Sequence, residues 1–315
     1  MIDNREKNFV SAVIYVHDVE TTIAEFVQTI MRVLSENFEH SEIICVNDAS
    51  TDKSAKIIRE VTKNNDTSQT SVTILNLSFF HGLEASMNAG KELAIGDFVF
   101  EFDLACLDFE PELILSIYKR ALEGFDIVSA VPDASERFSS HLFYSILNRY
   151  GHFPYRFCTE RFRIISRRAI NRVSAFNREI VYRKTVYASC GLKSANLQYH
   201  PISGVHFTLG SRERIYRREL AFNSILLFTE LGYRFSRFVT ILMGLASFAM
   251  LIYSIVIYCT GTPVRGWTSS ILLISTVSFG LFVILTFVIK YLQILINLSF
   301  KRGNFTFESI EKLSG

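Results

Sequence analysis

The stretch EIICVNDASTDKS, residues 42–54, decides the fold class of this chain. An apolar run typical of a buried strand stops at Asp48, and Asp52 follows after two small hydroxyl residues. Thr51 or Asp52 can cap a following helix, but Asp48 precedes the cap position, so helix capping explains it less well than it explains Asp52. A carboxylate directly after a buried strand predicts a ligand-binding edge of a sheet.

The alternation of strand and helix patterns continues on both sides of this stretch. The predicted strands are residues 9–16, 42–46, 72–77, 98–103 and 126–131, and the predicted helices are 19–35, 53–62, 83–94 and 112–122. This alternation predicts an α/β fold with a mainly parallel sheet and helices on both faces. Because the carboxyl ends of parallel strands share one edge, Asp18, Asp48 and Asp103 are expected to meet there.

The sequence contains no glycine-rich phosphate loop. The first strand is followed by HDVETTI, which has no glycine, and no GxxxxGK[ST] motif occurs. The expected edge therefore either accepts hydrogen bonds from the base and ribose of a nucleotide or holds a divalent cation beside a diphosphate. The net charge of +2 gives no reason to expect a nucleic-acid partner, and the 5 cysteines lack CxxC spacing.

Hydrophobic residues make up 49% of the chain, and their excess lies in two uncharged runs, residues 238–260 and 267–289. Each run is longer than the roughly 20 apolar residues that cross a bilayer, so the sequence predicts a two-helix transmembrane hairpin. The alternative is a pair of buried core helices, which would normally keep a polar face.

The charges around the hairpin predict its orientation. The connecting loop contains only Arg265, whereas basic residues flank the hairpin on both outer sides: Arg212, Arg214, Arg217, Arg218, Arg234, Arg237, Lys290, Lys301 and Arg302. The positive-inside rule then puts both flanks in the cytoplasm, at the cytoplasmic (inner) membrane.

These patterns divide the chain into four predicted segments. They are a cytoplasmic α/β domain over residues 1–210, a juxtamembrane amphipathic segment over 211–236, two transmembrane helices over 237–290 and a cytoplasmic tail over 291–315. Residues 138–147 and 220–231 have the pattern of amphipathic helices, which either lie on a bilayer or pack on the sheet.

Four segments in this order resemble the family 2 glycosyltransferases: SAVIYVHDVETTI (11–23), EIICVNDASTDKS (42–54), LNLSFFHGLEASMNAGKELAIGDFVFEFD (75–103) and FRIISRRAI (162–170). Together with the hairpin they are similar to the membrane-anchored polyprenyl-phosphate branch, which includes dolichol-phosphate mannose synthase and bacterial GtrB-like enzymes. The resemblance implies a Rossmann-like GT-A catalytic domain followed by two transmembrane helices. It also implies an inverting transfer of a sugar from a nucleotide-diphosphate donor to a polyprenyl phosphate, with undecaprenyl phosphate as the expected lipid. It allows a homo-oligomer that associates through the membrane helices.

The donor-binding residues follow from this resemblance. The acidic residue of the first segment, which contacts base and ribose in the family, falls on Asp18 or Glu20, and Asp48 matches the nucleoside-binding aspartate. The third segment lets the backbone pass close to the donor, and His81 is added because it lies near the predicted edge. The full predicted set is Asp18, Glu20, Asp48, Ser50, His81, Gly82 and Asn88.

The metal-binding motif departs from the family pattern. Asp103 matches the first aspartate of D-x-D, which implies Mg²⁺ or Mn²⁺ on the donor diphosphate, but the second aspartate is Ala105 and a usual glutamine is Leu107. Asp108 keeps an acidic position downstream and is the second metal candidate. A single carboxylate can suffice for magnesium. The alternatives are a catalytically silent homologue that serves as a binding or assembly subunit, and a glycosyltransferase with a non-lipid acceptor.

The acceptor side rests on the segment TERFRIISRR, which resembles the family's G-D-F-R-L-x-S-R. Arg163 falls on the arginine of that motif and is the first candidate for a phosphate clamp, because a guanidinium holds phosphate oxygens in pairs. Arg212 and Arg214 are expected to complete the acceptor phosphate site, unless they form a basic belt that faces lipid. The predicted catalytic residues are Asp103, Arg163 and Asp108.

Overall fold

The computed structural model describes residues 5–64, 70–133, 138–151, 153, 156–176, 182–202, 210–229, 231–260, 266–300 and 307–314. The chain forms two compact units. The first contains Met1–Asn148, Phe153–Ala221 and Gly303–Gly315, and the second contains Arg149–His152 and Phe222–Arg302. The segment boundaries drawn from the sequence at residues 210, 236 and 290 stay predictions.

The first unit is built on an 8-stranded sheet with the order β7-β5-β6-β4-β1-β2-β3-β8. The strands are β1 Val10–Val16, β2 Ser41–Asn47, β3 Thr70–Leu77, β4 Phe98–Phe102, β5 Ile127–Pro132, β6 Phe162–Ser166, β7 Ser194–Tyr199 and β8 Phe307–Ser314. The central pairs β4–β1, β1–β2 and β2–β3 and the edge pair β5–β7 are parallel. Strand β6 is antiparallel to β4 and β5, and β8 is antiparallel to β3. The predicted α/β fold with a mainly parallel sheet is confirmed, and β6, β7 and β8 are additions to the predicted strands.

Helices cover both faces of this sheet. The helices of the first unit that lie wholly within it are α1 Ile23–Asn37, α2 Ser54–Asn64, α3 Leu83–Leu93, α4 Glu112–Leu122, α6 Arg167–Phe176 and α7 Arg183–Ser189. Alternate residues of a strand point to opposite faces, and the buried strand β1 shows the consequence. Ala12 and Ile14 share one core with α1, α2 and α4, whereas Val13 and Tyr15 share the other with α3, α6 and α7. The predicted two-sided helical cover is confirmed.

Four further helices are α5 Phe138–Tyr150, α8 Ser211–Phe228, α9 Leu231–Thr260 and α10 Trp267–Phe300. Helices α9 and α10 belong to the second unit and carry the two uncharged runs of the sequence. Many of their large apolar side chains are exposed, among them Phe238, Phe248 and Phe279. Within the described residues, no helix reaches the length and apolarity that crossing a membrane requires.

Strand β8 brings the end of the chain back to the first unit. It pairs with β3 in an antiparallel register that places Ile310 opposite Leu75. Arg59 holds Glu311 through two hydrogen bonds of 2.7 and 2.8 Å, and Asn76 Nδ2 donates to Ser309 Oγ at 2.9 Å. Segments from both sides of the second unit in sequence are therefore part of one sheet.

Gly90 of α3 allows this helix to pack closely on the sheet. A Cβ at this position would lie 2.6 Å from Val46 Cγ2 and closer still to Val13 Cγ1. We expect Gly90→Ala to lower the free energy of unfolding by about 1–3 kcal/mol, because the added methyl overpacks the core. Helix propensity alone would act in the opposite direction. Gly244→Ala in α9 is the matched control, since a Cβ there meets nothing within 4 Å. Equal thermal unfolding midpoints for Gly90→Ala and the unmodified protein would contradict this packing.

Candidate active site at the carboxyl ends of the central strands

The loops that follow β1 and β2 are tied together by side chains that the sequence assigns to donor binding. The Asp18 backbone N–H donates to Ser50 Oγ at 3.3 Å, and the Asp18 carboxylate accepts from the Thr51 N–H at 2.7 Å. The Glu20 carboxylate accepts from the Lys53 N–H at 3.1 Å. These bonds give the two loops a fixed shape, so Asp18, Glu20 and Ser50 lie side by side at the predicted edge. Their contact with a nucleotide stays a prediction.

Asp48 fixes the next loop along the edge. Its side chain is fully buried and accepts hydrogen bonds from the His81 N–H at 2.7 Å, the Gly82 N–H at 2.8 Å and the Tyr15 hydroxyl at 3.1 Å. Burial and the Asp48 carboxylate raise the pKa of Tyr15 well above its ordinary value. Asp48 therefore holds the start of α3 against β1 and β2, and its predicted role as a nucleoside ligand stays a prediction.

The start of α3 requires a glycine. Gly82 has φ +85°, and a Cβ here would overlap the ring of Tyr216 from α8. Next to it, the His81 ring stacks on Phe79 with ring centroids 4.0 Å apart. Further along α3, Asn88 is buried, and its Oδ1 atom has no hydrogen-bond partner among the described residues. An unpaired buried acceptor is unusual in proteins, and it is the feature of this helix most suited to meeting a ligand donor.

A buried cluster of charged side chains lies at the end of β4. Arg163 of β6 is 2% exposed, and its guanidinium lies 3.0 Å from Asp103 Oδ2, 3.1 Å from Glu160 Oε2 and 3.4 Å from Glu101 Oε2. Burial alone would lower the pKa of Arg163, but Glu160 and these carboxylates raise it above its ordinary value. Arg163 is therefore a permanent cation enclosed by carboxylates, and its role as a clamp for an acceptor phosphate stays a prediction.

Arg183 is the second cation of this cluster and is fully buried. Its Nε donates to Glu84 Oε2 at 2.9 Å, its Nη2 donates to Asp103 Oδ1 at 2.7 Å, and its Nη1 lies 2.9 Å from Glu101 Oε2. Burial would raise the pKa of Asp103, yet Arg183 and Arg163 hold that pKa well below its ordinary value. Asp103 is thus a carboxylate with a guanidinium on each oxygen.

Asp108 belongs to a different group of side chains. Its Oδ2 pairs with the Arg161 guanidinium, and its Oδ1 accepts from the Tyr199 hydroxyl at 3.2 Å. Burial, followed by the charge of Asp108, raises the pKa of Tyr199 above its ordinary value. Arg161 and Glu160 are the two residues that depart from the family's G-D pair, and each has a charged partner in this structure.

The residues at the predicted metal position do not fit a divalent ion as they are arranged. Both oxygens of Asp103 accept from guanidinium groups, Ala105 and Leu107 offer no ligand atom, and both oxygens of Asp108 are hydrogen-bonded elsewhere. Over the part of the chain that the structure describes, no three His, Cys, Asp or Glu side chains form a metal-binding group. The prediction of Mg²⁺ or Mn²⁺ on Asp103 or Asp108 rests on the sequence resemblance.

The predicted acceptor arginines lie at the start of α8. Arg212 is exposed, and its guanidinium lies 4.7 Å from the ring centroid of Phe80. The Phe80 ring in turn lies 4.7 Å from the His17 ring at the end of β1. This chain of contacts brings Arg212 to the edge where Asp48 and Gly82 lie. Arg214 is exposed on the same helix turn.

Sequence reasoning missed four members of the buried cluster: Glu84, Glu101, Arg183 and Lys184. One signal was available, because Glu101 interrupts the apolar strand FVFEFD, and a carboxylate in a buried strand needs a cationic partner. The identity of that partner is not readable, since Arg183 lies on a helix far along the chain.

The sheet order and the charged carboxyl-end edge define a mixed α/β protein of the GT-A-like class. Residues 11–183, more than half of the chain, match the family described as Glycosyl transferase family 2. The chain belongs to this family and is a glycosyltransferase. The mannosyltransferase PcManGT from Pyrobaculum calidifontis, described in complex with GDP-Man and Mn²⁺, has a similar fold with a TM-score of 0.52 and 14% identity over 87% of each chain.

Curated relatives are similar in sequence. YkcC of Bacillus subtilis, described as an uncharacterized glycosyltransferase, is 25% identical over 273 residues, which is 84% of this chain and 82% of that protein. The uncharacterized glycosyltransferase sll0501 of Synechocystis is 29% identical over 58% of each chain. The undecaprenyl-phosphate 4-deoxy-4-formamido-L-arabinose transferase of Shewanella sediminis is 30% identical over 47% of this chain and 45% of that protein. The match thus spans less than two thirds of the length of the last two relatives.

Lys91 of α3 provides a test of the buried cluster. Its Nζ donates to the Tyr187 hydroxyl at 3.3 Å, and that hydroxyl donates to Glu101 at 2.8 Å. Burial lowers the pKa of Lys91 from 10.5 to about 8. Between these values the unfolded chain holds more protons than the folded protein, so the Lys91 contribution to stability rises as pH rises.

In the unmodified protein, Lys91 should raise the free energy of unfolding by about 2–3 kcal/mol between pH 8 and pH 10.5. We expect Lys91→Met to lack this rise. The measurement is chemical denaturation of both proteins at the two ends of the window. Lys63→Met, at an exposed position of α2, is the control and should follow the unmodified protein. If the difference in the free energy of unfolding between Lys91→Met and the unmodified protein is the same across this window, the lowered pKa of Lys91 is contradicted.

Proposed function

We propose that this glycosyltransferase moves a sugar from a nucleotide-diphosphate donor to a membrane polyprenyl phosphate, with undecaprenyl phosphate as the expected lipid, on the cytoplasmic face. The observation that carries the proposal is the meeting of two groups on one edge of the sheet. The donor segment is held there by Asp48, and the basic start of α8 reaches it through Arg212 and Phe80. The name of the Shewanella relative, an undecaprenyl-phosphate sugar transferase, supports the choice of lipid.

The donor side of the proposal uses the fixed loops at the ends of β1 and β2. Asp18 and Glu20 lie at this edge and keep exposed surface for contact with base or ribose. The unpaired Oδ1 of Asn88 is an acceptor suited to a hydroxyl or amide donor of the nucleotide sugar. Gly82 keeps the backbone free of a side chain where the loop turns into α3.

The chemistry of the proposed transfer needs little proton movement by the protein. An oxygen of the acceptor phosphate forms a bond to the anomeric carbon, the bond from that carbon to the donor diphosphate breaks, and the electron pair leaves with the diphosphate. The attacking phosphate is already an anion, so alignment and stabilisation of the leaving diphosphate carry the rate. The exposed Arg212 is the guanidinium best placed to contact a phosphate at this edge, because Arg163 is enclosed by carboxylates.

The membrane side of the proposal rests on α9 and α10. Their uncharged runs and exposed apolar side chains suit a lipid environment, and basic residues occur on the outer flanks of both helices. The pairing of β8 with β3 supports one common side of the membrane for both flanks, because one sheet contains residues from each. A homo-oligomer formed through these helices is compatible with the proposal.

The test is a transfer assay with the full chain in vesicles that contain undecaprenyl phosphate and a panel of radiolabelled UDP- and GDP-sugars. We expect a labelled glycolipid with at least one donor. Arg212→Ala should lower kcat/KM by about tenfold or more, because a charge-assisted phosphate contact is lost. Arg120→Ala removes a partly exposed arginine of α4 that pairs with Glu123 and should leave the rate unchanged.

Two outcomes would contradict the proposal. Absence of any glycolipid together with nucleotide binding in calorimetry would identify a silent homologue. Label transfer to protein or polysaccharide in membranes stripped of lipid would identify a non-lipid acceptor.

A further inference from the structure

In the cluster at the end of β4, both carboxylate oxygens of Asp103 already accept hydrogen bonds from guanidinium groups. Arg183 Nη2 donates to Oδ1 at 2.7 Å and Arg163 Nη2 donates to Oδ2 at 3.0 Å. The next candidate positions, Ala105 and Leu107, are apolar. A divalent ion at this place would have to compete with two guanidinium groups for both oxygens of a single side chain.

The charges of the cluster are nearly balanced without an ion. Three cations contact four carboxylates directly: Arg163, Arg183 and Lys184 pair with Glu84, Glu101, Asp103 and Glu160. Lys91 adds a further cation, linked to Glu101 through the Tyr187 hydroxyl. The group therefore has little excess negative charge with which to attract a divalent cation.

Burial makes this arrangement hard to exchange for a metal site. Arg183 and Glu101 are fully buried, and Arg163 is 2% exposed. If Asp103 turned away to bind an ion, two desolvated guanidinium groups would each lose a carboxylate partner, which is strongly unfavourable in a protein interior. The side chain of Asp103 is 13% exposed and is the most exposed of the carboxylates that contact Arg183.

We propose that the guanidinium groups of Arg163 and Arg183 take the place of the divalent ion at the end of β4, so that nucleotide diphosphate binding is independent of Mg²⁺ and Mn²⁺. The proposal rests on the proposed function, because it assumes that this edge binds a nucleotide diphosphate. Arg183 acts here as a positioning residue: it neutralises and orients Asp103 from below the surface. The sequence change to Ala105 is then matched by a cation supplied from α7.

The first experiment uses the unmodified full chain. Calorimetric titration with UDP and with GDP is carried out in EDTA and again with Mn²⁺, and we expect dissociation constants that agree within about twofold. In parallel, Mn²⁺ is added to the protein without nucleotide, and the electron paramagnetic resonance signal of free Mn²⁺ should stay undiminished. Stoichiometric loss of that signal, or a tenfold or greater loss of nucleotide affinity in EDTA, would overturn the proposal.

The second experiment rebuilds a metal site. Ala105→Asp combined with Arg183→Met adds a carboxylate and removes one guanidinium, and this double variant should bind Mn²⁺ stoichiometrically. Ala105→Asp alone keeps both arginines and should bind none, which separates the effect of Arg183 from that of the added carboxylate. Mn²⁺ binding by Ala105→Asp alone would show that the arginines do not exclude the ion and would overturn the proposal.

The two proposals fail in different ways. If neither UDP nor GDP binds in EDTA or in Mn²⁺, the proposed function fails, and the resonance measurement on the protein alone still decides whether Arg163 and Arg183 exclude the ion. If the double variant does not fold, the unmodified protein and Ala105→Asp carry the test, since both retain the complete cluster of cations.

Discussion

The contact of Arg183 with three carboxylates is the interaction on which the site depends. It joins Glu84 of α3, Glu101 of β4 and Asp103 beyond β4, and Arg163 of β6 joins two of the same carboxylates from the other side. Burying these charges is costly, and removing one partner of a buried pair typically costs about 3–5 kcal/mol. The cluster is therefore stable only when the sheet and the helices α3 and α7, which carry Glu84 and Arg183, are all in place.

Carboxylates also fix the conformation of the rest of the edge. Asp18, Glu20 and Asp48 accept hydrogen bonds from backbone N–H groups of neighbouring loops, so their first task is to give those loops one conformation. A carboxylate that accepts several N–H bonds is held rigidly, and rigid groups lose little entropy when a ligand binds. Preorganisation of this kind is the physical basis on which the proposed transfer aligns two charged substrates without a general base. Asn88 differs from these residues, because its buried Oδ1 has no hydrogen-bond partner among the described residues.

Strands β1 to β5 were predictable because they are largely buried and stand out as apolar runs. Strands β7 and β8 were not predictable by that signal, since they lie at the two edges of the sheet and are half exposed, and β8 contains charged residues such as Glu311. The position of Asp48 at a strand end followed from the chain direction. The hydrogen-bond partners of Asp48 could not be predicted in this way. The N–H groups of His81 and Gly82 are distant from Asp48 in sequence and come near it only when β3 is in place. The burial of Arg183 could not be predicted from the sequence for the same reason, since the carboxylates that pair with it are distant in sequence.

The topology of the chain constrains the proposed membrane attachment more strongly than hydropathy does. Strand β8 pairs with β3, so residues before Phe222 and after Arg302 belong to one hydrogen-bonded sheet. A sheet cannot be shared across a bilayer, because unpaired backbone groups are not tolerated in the hydrocarbon region. If α9 and α10 enter a membrane, the chain must leave it on the side where it entered, which requires an even number of crossings. A single crossing by either helix alone is incompatible with the β3–β8 pairing. The basic residues on both outer flanks agree with this constraint, because the positive-inside rule puts both flanks on the same side.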